Sequence, residues 1–354
     1  MSVDSAIIET VESIRRADHG NMLDRVKDLP KQLRDALAIA RAATLPPTLA
    51  DVRSVAVLGM GGSAIGGELA AALLQDELRV PMVVHRDYGL PAWVGRDTLV
   101  IASSYSGNTE ETLAAFAQAR ARGARIVALT TGGRLKQECD AAGIPVVTFS
   151  YQAQPRAALG YSLGLMLGVL ARIGLAKDRT TEVEAALTEV GHLQERVHEG
   201  ARTNDAKKLA LELRGTVPFV YGAGVFGVMA RRVKGQLNEN GKSWAAFDVM
   251  SELNHNAVVG FPNPAARKDL LVLCLESDRD EARHRIRFAV TKELLDRVRV
   301  PHRSLSFRGG SLLSEVLQLV YFTDHVTFYL ALLNGVDPSE VRSIDYLKER
   351  LAKS

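Results

Sequence analysis

A chain of 354 residues with 47% apolar and 24% charged side chains exceeds one ordinary domain and has ample material for a core. That excludes a disordered or fibrous chain and predicts about two domains. The net charge of +3 comes from 44 basic residues dispersed among 41 acidic ones with few aromatics between them, a distribution that offers no nucleic-acid-binding surface. The two cysteines, Cys139 and Cys274, lie far apart in apolar surroundings, so neither a disulfide framework nor a metal cluster is expected, and a cytoplasmic location is.

The first residues, MSVDSAIIETVESI, lack a basic stretch followed by a long apolar one, so no secretory signal is expected there. Helical periodicity runs over residues 3–43, with Ile7, Ile8, Val11 and Ile14, then Leu33, Leu37 and Ile39. It is broken at Leu29-Pro30 and ended by Pro46-Pro47, so residues 1–47 are expected to form a helical arm. Five short apolar runs follow at residues 54–58, 81–85, 98–102, 125–129 and 145–148, alternating with helical segments. This alternation predicts a parallel sheet covered by helices.

A helix-rich stretch at residues 156–175 closes this first α/β domain, expected over 48–178. A polar, acidic helix with Val183, Leu187, Val190 and Leu193 on one stripe makes residues 179–203 a helical linker, and a second α/β domain is expected over 204–354. The second domain echoes the first: strand, G-x-G and helix recur, with Gly59 and Gly61 answered by Gly222 and Gly224. Later strands at 243–247, 270–275 and 299–307 alternate with helices at 279–297 and 311–334. The long apolar helix at 311–334 contains Glu315, Asp324 and His325 and reads as buried core, not as a membrane span. The expected fold class is α/β, two similar three-layer domains with parallel sheets flanked by helices, flavodoxin-like in plan.

The stretch from Leu99 to Thr112, LVIASSYSGNTEET, carries the most chemistry. Ser103, Ser104, Ser106 and Thr109 gather where the carboxyl end of a strand meets the start of a helix expected over 109–121, and a helix amino terminus favours an anion. Asn108 with Glu111 three residues on makes a capping box, and Ser106-Gly107 makes a turn. Capping accounts for one or two of these residues and leaves the cluster of four hydroxyls unexplained, so a phosphate or sugar ligand is expected. The glycine-rich segment Gly59 to Gly67 also satisfies G-x-G-x-x-A, with Asp87 after the next strand in the place of a ribose-binding acid. A nicotinamide-dependent dehydrogenase is therefore the second reading. It is weakened because Asp87 lies beyond the usual spacing of about 20 residues and because such a fold has no use for the hydroxyl loop. The plainest reading of these glycines is a tight turn and close helix packing.

Four charged or titratable residues stand out elsewhere. Glu239 ends a helix expected over 226–238 with Asn240-Gly241 as its left-handed stop, and a carboxylate at the negative end of a helix dipole is placed as a general base would be. The plainer alternative is a solvated helix end. His255 stands between two asparagines in Leu253-Asn254-His255-Asn256, where a hydrogen-bonded structural histidine is the simpler reading. Lys348 falls on the stripe Val341, Ile344, Leu351 of a last helix expected to start with Asp337 as N-cap and Pro338 next, and a lysine on a buried face needs an anionic partner or must snorkel out. Arg156, after Pro155 beyond the fifth strand, stands where open α/β sheets bind ligands, although most arginines are surface charge.

Together these motifs resemble the sugar isomerase (SIS) domain proteins and, within them, the bifunctional phosphoglucose/phosphomannose isomerases. The resemblance spans nearly the whole chain: GMGGSAIGG at 59–67, SYSGNTEET at 104–112, QPRAALGY at 154–161, NENGK at 238–242, ELNHN at 252–256 and SIDYLKERL at 343–351. It implies two SIS-type domains and aldose–ketose isomerisation of glucose 6-phosphate and mannose 6-phosphate with fructose 6-phosphate, with no metal and no redox cofactor. It implies further that Gly61, Gly62 and Ser63 line the sugar while Ser104, Ser106 and Thr109 hold the phosphate. Glu239 would move the proton between C1 and C2, Arg156 would stabilise the enediolate, and Lys348 would assist ring opening. His255 would open the ring from the partner subunit of a homodimer. Ala64 departs from the glycine expected in GMGGSGIGG and is expected to narrow that turn. A non-catalytic sugar-phosphate sensor on the same domains is a further alternative, one that has no need of Glu239, His255 and Lys348 together.

Overall fold

The computed structural model describes residues 5–263, 267–351 and 353, so the first residues of the expected arm lie outside the described residues. The chain forms two compact units. The N-terminal unit comprises residues 28–187 with 311–313, and the C-terminal unit residues 1–27, 188–310 and 314–354. The arm of residues 1–47 is thus not a body of its own, and the helix of the expected linker, Thr180–Val197, is divided at residue 187. The physical reason is visible in the helix Leu29–Ala42. It starts with Pro30 in its first turn, where a missing N–H costs no hydrogen bond, and buries Leu33, Ala36, Leu37 and Ala40. That face lies on the helix Leu159–Arg172 so closely that a Cβ added at Gly164 would stand 2.7 Å from the Ala36 Cβ.

In the N-terminal unit the strands are β1 (Ser54–Leu58), β2 (Met82–His85), β3 (Thr98–Ser104), β4 (Arg125–Thr130) and β5 (Val146–Thr148). They form a parallel sheet in the order β2-β1-β3-β4-β5, the flavodoxin-like order, with Leu58 beside Ala102 and Ala102 beside Ala128. Every residue of β3 is buried, as a strand covered on both faces must be. Phe116, Leu58, Val100 and Leu135 fill one side of the sheet. The chain leaves β1 for β2 on one side and returns to β3 on the other, so the carboxyl ends of β1 and β3 flank the switch point at which such sheets bind ligands.

The C-terminal unit repeats this plan with β6 (Val217–Ala223), β7 (Ala246–Met250), β8 (Leu270–Leu275) and β9 (His302–Leu305), parallel and ordered β7-β6-β8-β9. Two strands differ from the sequence expectation. The strand expected at 243–247 begins at Ala246, because Ser243 still belongs to the preceding turn, its N–H donating to the Leu237 carbonyl. The strand expected at 299–307 is confined to His302–Leu305, since Arg299 has φ +60° and the Val300 N–H returns to the Leu295 carbonyl. The long helix Leu312–Leu333 is buried along its length and forms core, as its composition predicts. Burial also pushes the Cys139 thiol up to about 11 and the Cys274 thiol up to about 12, so both free cysteines remain protonated and inert.

Candidate active site

The first motif begins where β1 ends. Met60 is extended, Gly61 adopts φ +47°, and the helix Gly61–Leu73 starts there. Ala64 does not narrow the turn as expected: it sits within the first helical turn, fully buried, its N–H donating to the Met60 carbonyl. Gly62 is required by a close approach. A Cβ there would stand 2.6 Å from the Pro155 carbonyl oxygen and 3.3 Å from the Arg156 nitrogen. Arg156 itself is 4% exposed, in a 3-10 turn Pro155–Ala157, so the turn after β1 and the arginine loop after β5 are in contact.

The hydroxyl loop closes on the same place. Ser103 and Ser104 are the last residues of β3, both buried, and the loop proper runs over residues 105–109. The Tyr105 N–H donates to Ser63 Oγ at 3.2 Å, which ties this loop to the glycine turn. Ser104 Oγ lies 3.0 Å from Thr109 Oγ1 and accepts the Gly107 N–H at 3.1 Å, while Ser106 Oγ accepts the Asn108 N–H at 3.2 Å. Gly107, at φ +68°, passes so near the Gly132 carbonyl that no side chain fits.

The expected capping box does not form. The helix is Glu110–Ala121 with Thr109 at its N-cap position, and Asn108 Oδ1 instead accepts the Arg134 N–H at 3.0 Å, in the first turn of the helix Gly133–Ala142. Capping therefore accounts for still less of the cluster than the sequence suggested. Six expected ligand residues, Gly62, Ser63, Ser104, Ser106, Thr109 and Arg156, are brought to the carboxyl ends of β1 and β3, with Gly61 heading the same turn.

The remaining candidates belong to the C-terminal unit. Glu239 is the last residue of the helix Gly224–Glu239. Its turn is rigidly held: Asn240 Nδ2 donates to Thr327 Oγ1, Asn334 Nδ2 to the Gly241 carbonyl at 2.8 Å, Asn238 Nδ2 to the Ser243 carbonyl at 2.8 Å, and Lys242 Nζ to the Glu239 carbonyl. The left-handed residue is Lys242, with φ +52°, not Gly241. Gly241 is needed for space, since a Cβ there would approach the Leu237 carbonyl to 2.9 Å. Glu239 lines a cavity of about 750 Å³ together with His19, Asn238, Lys242, Asp337 and Arg342.

His255 ends a 3-10 turn, Glu252–His255, and is exposed. Its neighbours are structural: Leu253 is buried, Asn254 bonds Thr291 and Arg287, and Asn256 bonds Glu252. Lys348 departs from expectation. The last helix is Arg342–Leu351, because the Asp337 carboxylate is spent on the Ser339 N–H of a turn before it. No residue of that helix is buried, and Ile344 and Leu351 are 38% and 48% exposed, so Lys348 lies on an open face and needs no buried partner. Neither His255 nor Lys348 lines the Glu239 cavity.

Residues 48–144 match the SIS domain family, and residues 202–351 match the family described as bacterial phospho-glucose isomerase C-terminal SIS domain. A bifunctional phosphoglucose/phosphomannose isomerase of Caldicellulosiruptor bescii is 41% identical over 94% of this chain and 99% of its own length. The chain belongs to the bifunctional phosphoglucose/phosphomannose isomerases. A member from Aquifex aeolicus is 36% identical over 86% of this chain and 92% of its own. The crystal structure of a hypothetical protein from Thermus thermophilus shares the fold, with a TM-score of 0.72 at 20% identity, covering 97% of this chain and 93% of that one.

In this isomerase the glycine turn and the hydroxyl loop are joined, and one residue that sequence reasoning passed over connects them. Tyr105 makes polar contacts to segments 42 residues before it and 26, 46 and 48 residues after it. Its place inside the motif was a signal, but a count of small hydroxyls leaves out a phenol. Asp87, the acid of the dinucleotide reading, accepts the N–H of its own neighbour Tyr88.

Proposed function

We propose that this isomerase converts both glucose 6-phosphate and mannose 6-phosphate to fructose 6-phosphate, and back, through a cis-enediolate. The observation that carries the reading is the hydroxyl cluster of residues 104–109 at the switch point of the N-terminal sheet, in a chain of this family. Ser104, Ser106 and Thr109 hold the phosphate with hydroxyl donors at a helix amino terminus. Gly61, Gly62 and Ser63 line the sugar, where the missing side chains leave space for either epimer at C2. Glu239 moves the proton between C2 and C1, and the buried Arg156 stabilises the enediolate oxygen. Lys348 assists ring opening from an exposed helix, and the exposed His255 opens the ring of a substrate bound to the partner subunit in a homodimer. Binding energy from the phosphate orients C1 and C2 for these groups, as remote binding groups commonly do. The protein acts in the cytoplasm, consistent with its two buried free thiols.

The enediolate is planar at C2, so it has no configuration there, and reprotonation from either side gives either aldose. Fructose 6-phosphate incubated in heavy water is expected to yield glucose 6-phosphate and mannose 6-phosphate, both carrying deuterium at C2. If glucose 6-phosphate alone forms, dual specificity is lost and the isomerase stands; no deuterated aldose from folded protein ends the reading. Mixing Glu239→Gln with His255→Ala subunits is expected to restore part of the activity through hybrid dimers, and no recovery under subunit exchange places the whole site on one chain.

A further inference from the structure

Tyr105 lies between two residues assigned to the phosphate, yet its own side chain turns away from them to a different part of the chain. Its backbone serves the ligand loops: the N–H donates to Ser63 Oγ, and the carbonyl accepts the Thr131 N–H at 3.1 Å and the Thr131 hydroxyl at 2.7 Å. Its phenol serves the strap that runs from the end of β5 to Arg156. There the hydroxyl donates to the Tyr151 carbonyl and accepts the Ala153 N–H at 3.0 Å. The ring meets Phe149 edge-on at 5.9 Å, and Phe149 stacks on Tyr161 at 4.8 Å.

Downstream of Ala153 the strap enters its 3-10 turn, where the Ala157 N–H closes on the Gln154 carbonyl and the Pro155 carbonyl sits against Gly62. The phenol therefore fixes the strap three residues ahead of Arg156, on the side where the strap faces the hydroxyl loop. Both ends of this link are built from groups that a phenylalanine would leave in place, apart from the single hydroxyl.

We infer that Tyr105 is a positioning residue for the isomerisation: its hydroxyl holds the strap of residues 151–156, and through it the Arg156 guanidinium, in register with the phosphate loop. This rests on the role of Arg156 proposed above. The phosphate is gripped by Ser104, Ser106 and Thr109, whose bonds do not involve the phenol, so the hydroxyl affects the reacting end of the substrate and not the anchored end.

The test compares Tyr105→Phe, Arg156→Ala and the double variant of the full chain, with fructose 6-phosphate as substrate and inorganic phosphate as competing anion. Tyr105→Phe is expected to lower kcat by about 10- to 100-fold, the size of a misplacement near 1 Å, while KM and the inhibition constant of phosphate hold. In the Arg156→Ala background the same change is expected to have little further effect, because the two act as one unit. Amide exchange supplies a measurement independent of activity: Tyr105→Phe is expected to speed exchange in residues 150–158 and leave 104–112 as in the parent. Full kcat in Tyr105→Phe with an impaired Arg156→Ala overturns the inference and leaves the function standing. Additive losses, or loss of phosphate affinity in step with kcat, mean that the phenol acts elsewhere or only on the fold, and they overturn it too. An unimpaired Arg156→Ala removes the role assigned to that arginine, and the inference with it.

Discussion

The loops after β3 and β8 occupy the same place in two sheets of the same strand order, yet their chemistry is opposite. After β3, the hydroxyls of Ser104, Ser106 and Thr109 bond one another and backbone N–H groups. After β8, the chain supplies its own anions. Glu276 takes Lys292 at 2.8 Å and the Ser304 hydroxyl, and Asp280 accepts the Ser277 N–H at 2.9 Å. Glu281 caps the helix Ala282–Arg297, and Glu315 pairs with Arg279 at 3.0 Å. A parallel sheet feeding helices presents a positive helix end at every such junction. Side chains decide whether that end is satisfied internally or by an external phosphate. On the proposed assignment the repeated fold does not carry a repeated anion site, and the C-terminal unit instead carries Glu239 at the other end of a helix.

This division of labour is most sharply tested at Glu239. Glu239→Gln is expected to lower kcat by about four orders of magnitude in a coupled assay, with phosphate inhibition unchanged, the upper end of what a general base contributes. Parallel losses of phosphate affinity would merge the two roles. Next, Ser104→Ala with Thr109→Ala is expected to raise KM at least about 100-fold, each bond to a charged group contributing about 1.5–3 kcal/mol. The matching pair in the other loop, Glu276→Gln with Ser277→Ala, is expected to leave KM alone and lower only the unfolding midpoint; a raised KM there would mean that both loops bind phosphate.

A smaller difference separates the two cores. His325 is wholly buried in the long helix, its Nδ1–H donating to the Tyr321 carbonyl at 2.8 Å, and desolvation pushes it down to about 4. The unfolded chain takes up this proton near pH 6.5 and the folded one does not, so stability falls as pH drops from about 6.5 to 4. The loss amounts to about 3 kcal/mol. Denaturation of His325→Leu at pH 7 and pH 4.5 is expected to show a flatter decline, and an unchanged one would assign the acid sensitivity to other groups. The smallest effect lies where the halves are alike. Gly61 and Gly224 have φ +47° and +50° with open space around them, so alanine is expected to cost each about 1–2 kcal/mol of stability. Only Gly61→Ala should also raise KM.

Residue patterns near in sequence were legible because their physics is local. The apolar runs became the strands, both G-x-G turns open their helices with a left-handed glycine, and the hydroxyl cluster sits at a strand-to-helix junction as its spacing implied. Where a side chain had a distant competitor, the local reading failed. Asn108 had a suitable Glu111 three residues on, but its oxygen found the Arg134 N–H, presented by the first turn of the helix after the neighbouring strand. Lys348 lay on a helical stripe that predicts burial, but a stripe states only that one face is apolar, and among the described residues of its unit none buries any residue of that helix.

The sequence by itself determined the alternation of strands and helices, the repeat of the plan and the residue types of the motifs, since each depends on steric and hydrophobic preferences within a few residues. Only the tertiary structure decided that Arg156 lies against Gly62, 94 positions earlier in the chain, and that Tyr105 bonds both Ser63 and the strap leading to that arginine. Such contacts depend on which strands are neighbours, and strand order is set by packing the whole sheet between its helices.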